Sequence, residues 1–413
     1  MMMFIKFIRY ITKNTFFLVF CAALYAEPST PPELYSRAAV LMDAATGVIL
    51  YAKNADERIP PASLTKLMTI HIAMQDAAER HLDFDAPVAL PPAAWARNQP
   101  PRSTLMMLDE GQTVSLRELL LGLAVSSGND AAVAVALLVS PGIEEFAAKM
   151  NNAAQELGLT QTFFVEPSGI SEENWVTARE FAVFCRFYVN LYPKNLVELH
   201  SVPEFSYPKQ ENLPASKQNN PRTVTQTNRN GLLWRYPGVD GLKTGYIDES
   251  GYNLALSCER NGTRFICVLL GVPAELGAYW GARYRNNDGT ALLDWGYSNF
   301  KTLRFERPEL KKTRVWKGKE SYINVEPYLP GQSASDMAAL SVPVGRGGEL
   351  SMEVEYLPSV TAPFLRGERL GTLFVFDSEG KLAEVPLVAT KEVKRANILK
   401  RIWDSIMMLF LGL

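Results

Sequence analysis

The chain has 413 residues and a formal net charge of -2, so charge gives no support for a general role on polyanions such as nucleic acid. Its 47% hydrophobic and 21% charged residues are ordinary for a globular protein, and the length allows two or three domains with ample core. The three histidines, His71, His81 and His200, lie near no reactive motif in the sequence, which argues against a Ser-His-Asp triad and a histidine-based zinc site.

Residues 1–26 read as an export signal. Lys6, Arg9 and Lys13 give the positive region, residues 16–23 the apolar core, and Leu24-Tyr25-Ala26 a cleavage site before Glu27. An uncleaved N-terminal anchor is the alternative. Export permits disulfides. Cys258 and Cys267, however, flank an Asn261-Gly262 hairpin turn in a register that sets Cys258 opposite Phe265. Cys185, Cys258 and Cys267 are therefore expected to be free and packed, and no C-x-x-C pair suggests a metal.

Residues 38–42 and 48–52 alternate about Ala44-Ala45-Thr46-Gly47 and predict a hairpin. Next comes Pro60-Pro61-Ala62-Ser63-Leu64-Thr65-Lys66, opening an apolar run through residue 74 that reads as a buried helix. Three-residue spacing sets Lys66 beside Ser63 at the helix N-terminus. A serine needs a neighbour to take its proton, and a lysine buried among apolar groups has the lowered pKa that makes it a base. The free N–H groups of the helix start can also meet an oxyanion. A second Ser-x-x-Lys, Ser206 to Lys209, sits in a Pro-rich stretch without helical context and reads as loop.

Residues 83–101 are Pro-rich and read as a connector rather than a cleft wall. A helix is expected from about Thr113 to near Ser126. Ser127-Gly128-Asn129 then leads into an apolar helix for which Asn129 and Asp130 are good N-caps. Residues 143–157 predict an amphipathic helix ended by Gly158, and Thr177-x-x-Glu180 a capping box for a helix ending near Tyr192. Residues 222–227 read as a strand and Asn228-Arg229-Asn230-Gly231 as a turn. Residues 242–245, with Lys243-Thr244-Gly245, begin a strand ahead of the strand pair 252–257 and 265–270, and residues 275–297 look helical. The whole is an α+β arrangement, an antiparallel sheet with clustered helices, over residues 27–298.

From about residue 299 to 390, short alternating strands replace the helical period and predict a small all-β sandwich with no reactive constellation. Residues 391–413 form a basic amphipathic helix, with Ile398, Leu399, Ile402, Trp403, Ile406, Met407, Phe410 and Leu413 on one face. Its uncharged run, 405–413, is far short of the ~20 residues a membrane span needs, so it reads as lying in a membrane interface.

Ser-x-x-Lys, Ser-x-Asn and Lys-Thr-Gly in that order, with Asn228-Arg229-Asn230-Gly231-Leu232-Leu233-Trp234 and Val239-Asp240-Gly241-Leu242 before the last, resemble the low-molecular-mass penicillin-binding proteins that act as serine-type D-alanyl-D-alanine carboxypeptidases. The likeness covers nearly the whole chain after the signal. It implies release of the terminal D-alanine from peptidoglycan stem peptides ending in D-Ala-D-Ala, and covalent inhibition by β-lactams. Under it Ser63 is the nucleophile, Lys66 its base, and Ser127 the proton relay to the leaving amine, aided by Lys243. Asn129 would hold the peptide backbone and orient Lys66. Lys243, Thr244 and Arg229, with Gly245 beside them, would recognise the free carboxylate, which a fork-shaped guanidinium suits. The oxyanion would meet the N–H groups of Ser63 and Tyr246. No metal or cofactor is implied, and the expected location is the periplasmic face of the cytoplasmic membrane. Many relatives carry His where this chain has Tyr246; through a backbone contact alone that side chain should matter little. Glu166, in Glu166-Pro167-Ser168-Gly169, lacks the Glu-x-x-Leu-Asn pattern of class A β-lactamases and reads as a turn residue. A D,D-endopeptidase, a β-lactamase using the same site, or a catalytically weak penicillin sensor are the competing readings.

Overall fold

The computed structural model describes residues 28–219, 221–329 and 337–413. The expected export segment lies outside these residues. A five-stranded antiparallel sheet is the frame of the larger domain. Its strands are β1 (Ala38–Asp43), β2 (Ile49–Lys53), β3 (Val239–Ile247), β4 (Gly251–Arg260) and β5 (Thr263–Val272), in the order β2-β1-β5-β4-β3. The Asn261-Gly262 turn between β4 and β5 has positive φ at both residues, 51° and 75°, the geometry a two-residue hairpin requires. Cys258 pairs with Phe265 and Cys267 with Leu256, and all three described cysteines are buried and free.

Helices cover both faces of this sheet, which is why β1 is buried along its whole length instead of alternating. Ala38, Val40 and Met42 pack into one core cluster, Ala39 and Leu41 into the other. The helices are α1 (Thr65–Glu79), α2 (Leu116–Leu121), α3 (Asn129–Val139), α4 (Ile143–Glu156), α5 (Ala178–Leu191) and α6 (Gly277–Asn299). The fold is thus the expected α+β class, with four local differences. The helix predicted from Thr113 starts at Leu116, because Val114–Ser115 pairs with Pro87–Val88 and Ser115 caps the helix reciprocally with Glu118. Asn129 and Asp130 fall inside α3, whose cap is Gly128. Thr177 caps α5 by accepting from the Glu180 amide at 3.1 Å. The Glu180 carboxylate turns instead to the Gln161 amide and the Thr162 hydroxyl, so only half of the capping box forms. The Ser206 copy of Ser-x-x-Lys starts in a strand and leaves it at Pro208: Glu204–Tyr207 pairs with Val224–Thr227, and Ser206 Oγ lies 2.8 Å from Thr225 Oγ1.

From Phe300 the chain is β-structured, with a four-stranded and a three-stranded sheet around their own apolar core. Asp43 and Thr46 at the β1 turn bond to Thr302 and Ser341 of this second domain. The terminal helix α7 (Ile398–Leu411) begins later than residue 391, since Val393 and Arg395 still bridge to Phe364 and Gly318. Asn397 caps it. It rests on the β-domain through polar groups: Asp404 accepts from the Lys317 amide at 2.6 Å and Lys400 donates to the Gly318 carbonyl at 2.7 Å. Its apolar side, including Leu399 and Phe410 (76% and 82% exposed), faces outward. No single helix among the described residues is long and apolar enough to cross a membrane.

Candidate active site

A cleft of about 730 Å³ opens between the edge strand β3 and the helical cluster. Ser63, Ser127, Asn129, Arg229, Thr244, Gly245 and Tyr246 all line it. Lys66 and Lys243 lie beneath its floor, buried, each touching one of the lining serines. The structure therefore brings Ser63, Lys66, Ser127, Asn129, Arg229, Lys243, Thr244, Gly245 and Tyr246 to one place.

The turn Ala62–Leu64 precedes α1, and its Ala62 is strained, with φ at 51°. Ser63 follows at the start of the helical stretch, half-buried and facing the cleft. One turn on, Lys66 Nζ lies 2.9 Å from Ser63 Oγ, 2.8 Å from Asn129 Oδ1 and 2.5 Å from the Ser168 carbonyl. A neutral amine there donates to Asn129 and Ser168 and keeps its lone pair for the Ser63 hydroxyl. Burial lowers the Lys66 pKa to about 7, against the opposing pull of Glu166 and Asp130.

Ser127 takes the left-handed conformation, with φ at 61° and ψ at 33°, after the wide turn Gly122–Ser126. Such a conformation costs roughly 1 kcal/mol or more in a residue with a Cβ, and the surroundings enforce it. Thr104 Oγ1 donates to the Ser127 carbonyl at 2.5 Å and the Asn129 amide to the Thr104 carbonyl at 2.8 Å. Asp130 binds the same segment from below, accepting from the amides of Met106, Met107 and Leu108 at 2.7, 2.8 and 3.0 Å. The capping role expected of Asp130 is in fact a cross-chain suture. Burial raises the Asp130 pKa while those amides hold it down. Residues after the Pro-rich connector thus reach the site, since Arg102 and Thr104 line the cleft.

The Lys243-Thr244-Gly245 triplet lies within β3, a strand as expected, ahead of the paired strands β4 and β5. Lys243 Nζ donates to Ser127 Oγ at 3.0 Å and to the Thr244 carbonyl at 3.0 Å. Its pKa is held well below that of an ordinary lysine, by burial first and then by Lys66, Arg229 and Arg285. Gly245 permits the close approach: a Cβ there would stand 2.7 Å from the Pro61 carbonyl oxygen and 3.1 Å from the Ser63 nitrogen. Asn228 and Asn230 are buried and anchored, to the His200 and Val202 carbonyls and to the Gly241 carbonyl, so Arg229 between them projects into the cleft.

Three findings were not legible in the motifs. Arg285 of α6 also lines the cleft, buried, and among the described residues only its neighbour Asn286 accepts from it. Burial lowers its pKa to about 10. Its position is on the core-facing stripe 281, 285, 288, 292, 296 of α6, and a charged residue on such a stripe is the available sequence signal. His200, remote from the motifs in sequence, packs behind β3: its Nδ1 lies 3.2 Å from the Leu242 carbonyl and its Nε2 2.8 Å from the Tyr188 hydroxyl. Burial lowers its pKa to about 4, so it is a neutral structural support for the strand. The Tyr246 side chain, expected to matter little, lines the cleft, stacks at 4.4 Å on Tyr252 and donates to Asp248, which pairs with Arg102. Among the described residues no acidic side chain lines the cleft while Arg102, Arg229 and Arg285 do, so its field favours an anion. Among the described residues no cluster of three or more His, Cys, Asp or Glu could hold a metal ion.

A family model described as D-alanyl-D-alanine carboxypeptidase matches residues 26–274, and one described as penicillin-binding protein 5, C-terminal domain, matches residues 301–395. The D-alanyl-D-alanine carboxypeptidase DacC of Escherichia coli is 32% identical over 96% of this chain and 94% of its own length. The crystal structure of penicillin binding protein 5 from Haemophilus influenzae superposes with a TM-score of 0.72 at 30% identity, covering 89% of this chain and 99% of that one. Penicillin-binding protein D2 of Listeria monocytogenes, solved in an ampicillin-bound form, matches with a TM-score of 0.53 at 27% identity, over 64% of this chain and 100% of its own.

Proposed function

The chain belongs to the D-alanyl-D-alanine carboxypeptidase family of serine peptidases, and from that premise we propose that it removes the terminal D-alanine from peptidoglycan stem peptides through an acyl-enzyme on Ser63. The observation that carries this reading is the buried Lys66 amine, 2.9 Å from Ser63 Oγ at a helix start, with its pKa lowered to about 7.

The free carboxylate enters the anion-favouring cleft and meets Arg229, Thr244 and Lys243. Arg229 has no ion-pair partner among the described residues, so its fork is available. The Lys66 lone pair takes the Ser63 proton as Oγ attacks the penultimate carbonyl. The resulting oxyanion is met by the N–H groups of Ser63 and Tyr246, brought together by the close approach at Gly245. Breaking the C–N bond leaves an ester on Ser63, and Ser127, backed by Lys243, passes a proton to the departing D-alanine amine. Water then cleaves the ester and returns Ser63. A β-lactam acylates the same hydroxyl and inhibits the enzyme.

The outward apolar side of α7 supports a second element of the reading: the enzyme is exported and lies on the periplasmic surface of the cytoplasmic membrane, held by that helix. Deleting residues 396–413 should free it from membranes with activity on soluble peptides retained; a truncated protein still on the membrane would point to an N-terminal anchor. The first assay is D-alanine release from diacetyl-Lys-D-Ala-D-Ala with and without benzylpenicillin. Ser63→Ala should abolish both release and covalent labelling, and labelling that survives would move the nucleophile elsewhere.

A further inference from the structure

Glu166 takes no part in the steps above, yet its carboxylate organises the wall behind Lys66. One oxygen accepts from the Ser168 amide at 2.7 Å and the Ser168 hydroxyl at 2.6 Å. The other accepts from the Gly169 amide at 2.6 Å, the Asn174 side chain at 3.0 Å and the Ser171 amide at 3.4 Å. The chain is thus wrapped around its own side chain, and the outcome is one aimed carbonyl, that of Ser168, 2.5 Å from Lys66 Nζ.

The loop is also fastened to the start of α1. Thr69 Oγ1 donates to the Pro167 carbonyl at 2.6 Å, and Asn174 Nδ2 to Thr65 Oγ1 at 3.2 Å. Gly169, with φ at 81°, sits so close that a Cβ would stand 1.8 Å from the Ala62 carbonyl oxygen. The charged groups bearing on Lys66 are Glu166 from this loop, Asp130 from α3, Arg229 from the 228–231 turn and Lys243 from β3. Glu166 exerts the largest pull toward the ammonium form and Asp130 the next.

We propose that Glu166 is a positioning residue for acylation: it aims the Ser168 carbonyl at Lys66 and lays a fixed negative charge beside that amine. The inference rests on Lys66 being the base. Once Lys66 has accepted the Ser63 proton, its three N–H bonds have three acceptors and a nearby carboxylate, which favours the proton-bearing state. The same charge sets the pH at which Lys66 becomes neutral. Without it, burial drives the amine to a lower pKa; the base is then free at lower pH but weaker.

The test is the acylation rate with a fluorescent penicillin from pH 5 to 9, for wild type, E166Q and E166D, with thermal melts to verify folding. E166Q should move the acid limb down by about one pH unit and lower the plateau about tenfold or more. E166D keeps the charge but shortens the reach, so its limb should stay at the wild-type position while the plateau drops. An E166Q limb at the wild-type pH, whatever its plateau, leaves only a structural role and overturns the proposal. Should E166Q fail to fold, E166D decides: a plateau equal to wild type would overturn it. A wild type that neither labels nor releases D-alanine would instead defeat the carboxypeptidase reading.

Discussion

Acylation of Ser63 should lose about a decade in rate for each pH unit below 7. The perturbation is pH, and the group that answers it is Lys66, fully buried, with a pKa lowered from 10.5 to about 7. At pH 7 about half of the Lys66 side chains are then neutral, whereas an ordinary lysine would be neutral in about one molecule in 3,000. Burial therefore disfavours the ammonium by about 5 kcal/mol net of its partners. The direction is fixed by the sign: a base must be unprotonated, its pKa is depressed, and so activity is present above about 7 and fades as pH falls. The second-order acylation constant with a fluorescent penicillin, measured from pH 5.5 to 8.5, should follow that titration. Lys66→Arg keeps a cation but not a base, since guanidinium stays protonated, and should cost about a thousandfold or more. A flat profile, or a Lys66→Arg enzyme acylating within tenfold of wild type, would place the base elsewhere, with Lys243 next in line.

Three further outcomes follow from the same geometry. Arg229→Gln removes a charge-assisted contact worth about 2 kcal/mol, so kcat/KM for a D-Ala-D-Ala peptide should fall roughly thirtyfold; an unchanged value would assign the carboxylate to Arg285. Gly169→Ala drives a Cβ into the Ala62 carbonyl at a positive φ and should lower the melting temperature by several degrees and slow labelling of Ser63. A melt and rate equal to wild type would mean the loop can withdraw without moving the nucleophile. Asp130→Asn presents an amide donor to backbone donors, at about 2 kcal/mol or more. It should weaken labelling by loosening the Ser127 turn, and unaltered labelling would show that the 104–108 segment does not hold that turn.

Local chemistry made much of this protein legible from its sequence. Three-residue spacing on a helix sets Lys66 against Ser63 whatever surrounds it, and Asn261-Gly262 dictates a tight hairpin because its conformation needs both residues at positive φ. The ordered motifs and the shift to short strands near residue 300 named the family and its two-domain plan.

What the sequence could not convey is which groups meet across the chain. The Asp130 carboxylate looks like a cap because a local bond is the simplest use for it, yet it satisfies three amides some twenty residues away. Glu166 looks like a turn residue and is one, but that its turn delivers a carbonyl to Lys66 depends on α1 lying alongside. His200 and Arg285 belong to no motif, and only the packing of the 196–200 turn and α6 on β3 and β4 brings them to the site. Spacing along a helix or through a turn is set by covalent geometry, so the sequence by itself determined that Lys66 lies beside Ser63 and fixed the order of the motifs. The electrostatic setting that lowers the pKa of Lys66, and the closeness of β3 to Ser63, arise from burial and from contacts between distant segments, so the tertiary structure alone decided them.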